Sequence, residues 1–261
     1  MEYLLSLSWG MIQGLTEFLP ISSSAHLLLV SQFFEFEKSF EAYVLLNIGT
    51  LAALIFFLRG ILKSILQDLK QGDWQLVLKI VISTLPAGLL GFWLIDFINN
   101  LSSYWVILIL MLSLGGILML FTTPPKVKVS DLSAISWRQT LLIASAQALA
   151  LIPGTSRSGA TILTGLWLGF KKDLAVKWSF LLALPLISGA VLRVWLSPSG
   201  WELIEQGWLL ILIGNLVAFG IGLIAIHFLI KIVETRSLKI FGIYRLVLAG
   251  SLLILLNLNI L

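Results

Sequence analysis

Apolar residues follow one another along this chain in stretches long enough to cross a bilayer, with short polar links between them. Uninterrupted stretches lie near 42–58, 75–95, 104–121, 178–196, 208–230 and 241–260, each sufficient to span with little or some tilt. Two further segments are broken. The first, about 3–34, carries Pro20 in its middle. Proline lacks an N–H and clashes with the carbonyl four residues back, so it cannot continue a helix begun upstream. The serines that follow are good N-caps. The pattern therefore predicts a helix, a break at Phe18–Ile21, and a second helix from Ser22 to about Phe34. The second broken segment runs from Arg138 to Phe170 and is interrupted at Pro153-Gly154. Polar links are expected at Glu35–Glu41, 59–73 and 122–137, the last marked by Thr123-Pro124-Pro125. Trp74, Trp105, Trp137, Trp195, Trp201 and Trp208 fall near segment ends, as interfacial anchors do.

Composition agrees with this pattern. Of 261 residues 59% are hydrophobic and 11% charged, with a mean hydropathy of +1.02. A soluble domain is nearer a quarter charged, so the chain reads as an all-α integral membrane protein with little mass outside the bilayer. No nucleic-acid partner is expected. The absence of cysteine excludes disulfides and thiolate chemistry. The opening Met-Glu-Tyr has no basic stretch, and no signal peptide is expected.

The net charge of +4 matters less than where the cations lie. If both broken segments are re-entrant, the links at 59–73, 122–138, 171–177 and 231–245, with the adjoining span ends, share one side. They hold 14 of the 17 Lys and Arg. Lys38 and Arg193 lie on the other side, and Arg157 is inside the second hairpin. The rich side is then cytoplasmic, and both termini lie outside. Each half of the single domain, about 1–125 and about 136–261, holds one hairpin that returns to its own side and three spans. The second half therefore enters from the opposite face. Pro20 and Pro153 are 133 residues apart, and superposing them sets Ser23 on Ser156. The predicted fold is an inverted-topology repeat of two re-entrant helical hairpins plus about six transmembrane helices, with its site near the midplane.

The hairpins hold the chemistry. The first reads Gln13-Gly-Leu-Thr-Glu17-Phe-Leu-Pro20-Ile-Ser22-Ser23-Ser24-Ala-His26, and the second Pro153-Gly154-Thr155-Ser156-Arg157-Ser158-Gly159-Ala-Thr161. Ionisable groups at membrane depth are costly and point to function. Gly154 lets backbone approach a ligand. Thr155, Ser156, Ser158 and Thr161 supply hydroxyls, and Arg157 supplies a fork suited to phosphate oxygens. Two helix N-termini meeting from opposite sides make an anion cradle, to which Ser22 and Ser24 contribute. His26 is three residues after Ser23, on the same helix face, and could be a base or a nucleophile. The nucleophile is open between Ser23, His26 and water. The bland alternatives are a Glu17–Arg157 pair that only neutralises two buried charges, a histidine bonded to a backbone carbonyl, and serines that only cap helices. Arg193 is expected to snorkel to the interface, His227 to be structural, and Pro86 and Pro185 to kink their helices.

These motifs, together with Asn47-Ile-Gly-Thr-Leu-Ala-Ala and Trp178-Ser-Phe-Leu-Leu-Ala-Leu-Pro185, resemble the undecaprenyl-diphosphatase family of the BacA/UppP type, linked to bacitracin resistance. The resemblance implies a bacterial inner-membrane hydrolase that removes the terminal phosphate of a polyprenyl diphosphate lipid and so returns the carrier for cell-wall precursors. It implies a site facing the periplasm and a divalent cation, Mg²⁺ or Ca²⁺, with Glu17 as its ligand. A homodimer is one assembly open to such a protein. Catalytic roles fall on Glu17, Ser23, His26 and Arg157, and substrate binding on Gln13, Ser22, Ser24, Gly154, Thr155, Ser156, Ser158 and Thr161. One position departs from the best-described motif: Gln13 stands where a second glutamate is found. A transporter or flippase of polyprenyl phosphate lipids is the rival function. Lipid phosphatases that use two histidines with soluble-loop arginines are excluded, because His227 is far from the motifs.

Overall fold

The computed structural model describes residues 2–33, 40–102, 104–122 and 126–261. Lys38, most of the Glu35–Glu41 link and the Thr123-Pro124-Pro125 break lie outside the described residues. Among those described, the chain is helical and contains no strand; a single parallel bridge joins Val129 to Phe170. The first broken segment forms α1 (Glu2–Thr16) and α2 (Ser23–Phe33), and the second forms α8 (Trp137–Leu149) and α9 (Arg157–Trp167). Between them lie α3 (Phe40–Leu45), α4 (Asn47–Lys70), α5 (Gln75–Trp93), α6 (Ile95–Ser102) and α7 (Trp105–Leu120). After them come α10 (Lys172–Trp195), α11 (Pro198–Thr235) and α12 (Lys239–Asn257).

Among the described residues, five helical stretches are long and apolar enough to cross a membrane: Glu41–Lys70, α5, α10, α11 and α12. Helix α7 is apolar but has only 16 residues. Pro86 and Pro185 sit inside α5 and α10, and α11 departs from helical geometry at Gly207.

The structure corrects three boundaries drawn from hydropathy. Helix α4 continues through Arg59 and Lys63 to Lys70, where a link was expected from 59. Leu58, Leu62, Ile65 and Leu69 keep a helical stripe against the core, and that periodicity outweighs the falling hydropathy. Helix α10 starts at Lys172 rather than near 178, because Leu174, Ala175 and Val176 are already buried. Arg245, grouped with the cations of the 231–245 link, is fully buried within α12.

Neighbouring helices cross in a reciprocal pattern: α1 lies along α11, α8 along α5, and α7 against α12. The first of these crossings is close because it runs through Gly10 and Gly14. A Cβ at Gly14 would come within 2.7 Å of the Ala218 carbonyl. The main core gathers Phe18, Leu54, Leu58, Phe180 and Ile226, with Phe180 edge-on to both Phe18 and Phe57. This packing holds the two helix breaks together in the interior.

Candidate active site

Each break turns on a serine in the left-handed region, Ser22 at φ 72° and Ser156 at φ 70°. A non-glycine residue held there costs about 1–3 kcal/mol and persists only where its surroundings over-determine it. The same two serines start α2 and α9. Their hydroxyls pair with the serine two residues on, Ser22 with Ser24 at 3.1 Å and Ser156 with Ser158 at 3.3 Å. Matching the two left-handed serines sets Ser22 on Ser156, an offset of 134 residues. Superposing the prolines instead sets Ser23 on Ser156, because the second break is one residue later relative to its proline. In the serine register Gln13 falls on Gln147 and Ser23 on Arg157.

Two of the polar contacts at the site join the breaks, Arg157 to Glu17 and Ser158 to Leu19, and a third, Ser23 to Glu17, closes the first break on itself. Arg157 Nη2 donates to Glu17 Oε1 at 2.9 Å, with the two side chains only 16% and 12% exposed. Ser23 Oγ donates to the other carboxylate oxygen at 2.9 Å. Ser158 Oγ donates to the Leu19 carbonyl at 3.1 Å. Gln13 Nε2 also donates to Glu17 Oε2, at 3.1 Å, and to Asn47 Oδ1 at 2.7 Å. One carboxylate thus gathers a hydroxyl, an amide and a guanidinium from both hairpins.

A cavity of about 830 Å³ opens over this cluster. Gln13, Glu17, Ser22, Ser23, Ser24, Ser156 and Arg157, all from the two motifs, line it. Its other walls include Ala87, Gly88, Pro185 and Gly189 from the proline-containing middles of α5 and α10, together with Asn47, Gln147 and Phe92. Arg193, expected to snorkel, lines the cavity and stacks over Phe92 at 5.2 Å.

Other predicted residues are placed differently. Thr161 Oγ1 is taken up by the Arg157 carbonyl at 2.9 Å and Ser179 Oγ at 2.6 Å, so it braces α9 against α10 rather than facing the cavity. Gly154, at φ 91°, packs on α7, where a Cβ would meet the Leu108 carbonyl at 2.6 Å. Thr155 Oγ1 is buried without a partner among the described residues. His26 is not hydrogen-bonded to Ser23. Its Nδ1 lies 2.7 Å from the Ser22 carbonyl and its Nε2 lies 2.7 Å from Tyr244 Oη.

Two further residues, Asn47 and Asn215, were not singled out by sequence reasoning as site groups. Asn215 of α11 accepts from the Gly49 N–H at 2.6 Å and donates to the Leu45 carbonyl at 3.0 Å. It thereby fastens the helix break at Leu46 that presents Asn47 to Gln13. Asn47 was visible in a quoted motif, but Asn215, an isolated amide in an apolar helix, was the available and unused signal.

Residues 6–251 match the model of a family described as bacitracin resistance protein BacA. The chain belongs to this family. It is 38% identical to an undecaprenyl-diphosphatase of Marinobacter nauticus, over 96% of this chain and 97% of the relative. It is also 38% identical to undecaprenyl-diphosphatase 1 of Pseudoalteromonas translucida, over 95% and 97%. An undecaprenyl-diphosphatase of Aliivibrio salmonicida is 37% identical, over 97% and 98%. The family match spans both hairpins and every cavity-lining residue named above.

Proposed function

We propose that the protein hydrolyses undecaprenyl diphosphate to undecaprenyl phosphate and inorganic phosphate, which recycles the lipid carrier of cell-wall synthesis and confers bacitracin resistance. The observation that carries this reading is Glu17 bonded at once to the Ser23 hydroxyl and to Arg157. A hydroxyl donating to a buried carboxylate is an activated nucleophile. Arg157 Nη1 is buried without a partner among the described residues, and a guanidinium fork with spare donors suits phosphate. Incoming diphosphate competes for Arg157 and frees Glu17 to take the Ser23 proton. Ser23 Oγ then attacks the terminal phosphorus, and the bond from that phosphorus to the bridging oxygen breaks. Undecaprenyl phosphate leaves. Water attacks the phosphoserine, releasing phosphate and restoring the hydroxyl. His26, with both ring nitrogens engaged, orients the start of α2 in this scheme.

A divalent cation fits the same cavity. Gln13 Oε1 is buried without a partner among the described residues, beside Glu17. Gln13 and Glu17 would hold Mg²⁺ or Ca²⁺, hard cations that take carboxylate, amide and substrate oxygens together. When bound, the cation would neutralise charge on the diphosphate.

The reading includes an inverted repeat with re-entrant hairpins. Four observations support it: the 134-residue register, the matched left-handed serines, the buried pair Gln13 and Gln147, and the reciprocal crossings of α1 with α11 and α8 with α5. The hairpin arms add to this, since the 15 residues of α1 rise only about 22 Å and the 11 of α2 about 16 Å, short of a hydrocarbon core of about 30 Å. The protein then sits in the bacterial inner membrane with its site toward the periplasm, and both ends of the chain lie on that side. The rival transporter reading is not favoured, because transport needs binding alone and leaves the Ser23–Glu17 bond unexplained.

Purified protein given a long polyprenyl diphosphate releases phosphate, and EDTA suppresses the release. Absence of release, with lipid crossing vesicle bilayers instead, would return the protein to the transporter class. For orientation, a cysteine at Ser199 reacts with an impermeant thiol reagent outside cells while one at Ser130 does not; the opposite pattern inverts the topology.

A further inference from the structure

Arg245 is the one fully buried arginine among the described residues, at 0% exposure, and no carboxylate pairs with it there. An unpaired buried guanidinium is expensive. Here its five N–H groups meet five backbone carbonyls. Nε donates to Leu112 O at 3.2 Å, and Nη2 to Met111 O at 2.9 Å and Gly154 O at 2.8 Å. Nη1 donates to Thr155 O at 3.0 Å and Pro20 O at 3.4 Å. Two of these carbonyls belong to α7, one to the break of the first hairpin, and two to the break of the second. Gly115 of α7 gives the guanidinium its room, since a Cβ there would fall on it.

The neighbouring residue acts on the same break. Tyr244 stacks on His26 with ring centroids 5.7 Å apart and planes at 10°. A carbonyl only accepts, so His26 Nδ1 carries the hydrogen bonded to Ser22 O, and in the neutral imidazole Nε2 then accepts from the Tyr244 hydroxyl. One turn of α12 therefore reaches both helix breaks. Because the C=O and the following N–H of a peptide point opposite ways, pinning Thr155 O toward Arg245 turns the Ser156 N–H to the far side. Ser156 is a cavity-lining residue.

We infer that Arg245 is a positioning residue for the proposed hydrolysis: it holds the two helix breaks at the separation that brings Ser23 and Glu17 of one to Arg157 of the other, with Tyr244 fixing the first break through His26. This rests on the phosphatase reading for its kinetic consequence but not for its structural one. Lysine keeps the charge yet cannot reach five carbonyls, so the breaks drift apart while the substrate-contacting groups remain.

The test uses Arg245→Lys and Gly115→Ala, the second of which displaces the guanidinium without removing it. Each variant is first shown folded by thermal unfolding, then assayed for phosphate release from a long polyprenyl diphosphate and for amide exchange by mass spectrometry. Misplacement by about 1 Å costs on the order of 100-fold in rate. Arg245→Lys is expected to lose roughly that in kcat with KM within about threefold, and Gly115→Ala roughly tenfold. In both, exchange rises in peptides covering residues 17–24 and 150–158 together and stays unchanged in 60–70. If Arg245→Lys does not fold, Gly115→Ala decides alone. Folded variants with kcat within about threefold of wild type, or faster exchange at one break only, overturn the inference. If wild type itself releases no phosphate, the phosphatase reading fails, and coupled exchange at both breaks still decides whether Arg245 holds them.

Discussion

The two hairpins share a backbone and divide the chemistry. In the register that sets Ser22 on Ser156, both breaks use a left-handed serine, both pair it with the serine two residues on, and both bury a glutamine nine residues earlier, Gln13 and Gln147 at 1% exposure. Each glutamine leaves its Oε1 without a partner among the described residues. The side chains between them differ. Glu17 faces Leu151 in that register, and Ser23 faces Arg157. One hairpin brings the carboxylate and the hydroxyl, and the other brings the cation. Two breaks of like backbone geometry can present two helix N-termini to one anion, but a reaction needs unlike groups, and here the unlike side chains come from different hairpins.

The largest expected effect comes from removing the group that joins the hairpins. Glu17→Gln takes away the proton acceptor of Ser23 and leaves Arg157 without its anion. Loss of a general base is worth roughly 10²–10⁴-fold, so phosphate release falls to the lower limit of detection. Activity within tenfold of wild type would shift base catalysis elsewhere. Next is Arg157→Lys, which keeps the charge and loses the fork. The expected loss is about 2–3 kcal/mol, or roughly 30–150-fold in kcat/KM. Near-normal turnover at wild-type expression would remove Arg157 from the anion site.

The glutamine pair sharpens the comparison at smaller amplitude. Gln13→Glu adds a second anionic ligand one turn from Glu17, and carboxylates hold Mg²⁺ or Ca²⁺ better than an amide. It should lower the metal concentration that gives half-maximal phosphate release. An unchanged or weaker response, with the protein folded, ends the shared-metal face. Among the described residues the Gln147 side chain bonds only the Ser83 carbonyl, at 3.0 Å. Gln147→Leu should thus cost about 0.5–1.5 kcal/mol in thermal unfolding by removing that buried hydrogen bond, with kcat within about twofold of wild type. A large kcat loss there would show that the second hairpin has kept a chemical role in its glutamine.

Much of this was legible in the chain. Pro20 and Pro153 located both breaks because a missing N–H is a local property. The cavity residues Gln13, Glu17, Ser22, Ser23, Ser24, Ser156 and Arg157 followed from polar groups stranded in apolar segments. The end of α4 was misread because falling hydropathy hid a stripe at Leu58, Leu62, Ile65 and Leu69 that continues the helical period. Thr161 was misplaced because sequence spacing gives the face of a helix but not what stands opposite, here Ser179 of α10.

By itself the sequence determined the helical membrane class, the two interrupted segments and the kind of chemistry they carry. These follow from hydropathy, proline stereochemistry and the cost of charge in lipid, all of which act over a few residues. Only the tertiary structure decided which hydroxyl meets Glu17, that Asn47 and Asn215 stand behind Gln13, and that Arg245 spans both breaks. Those pairings join residues up to 225 positions apart, as from Arg245 to Pro20. A buried donor takes the acceptor that packing sets within about 3 Å of it, and a linear pattern does not encode that distance.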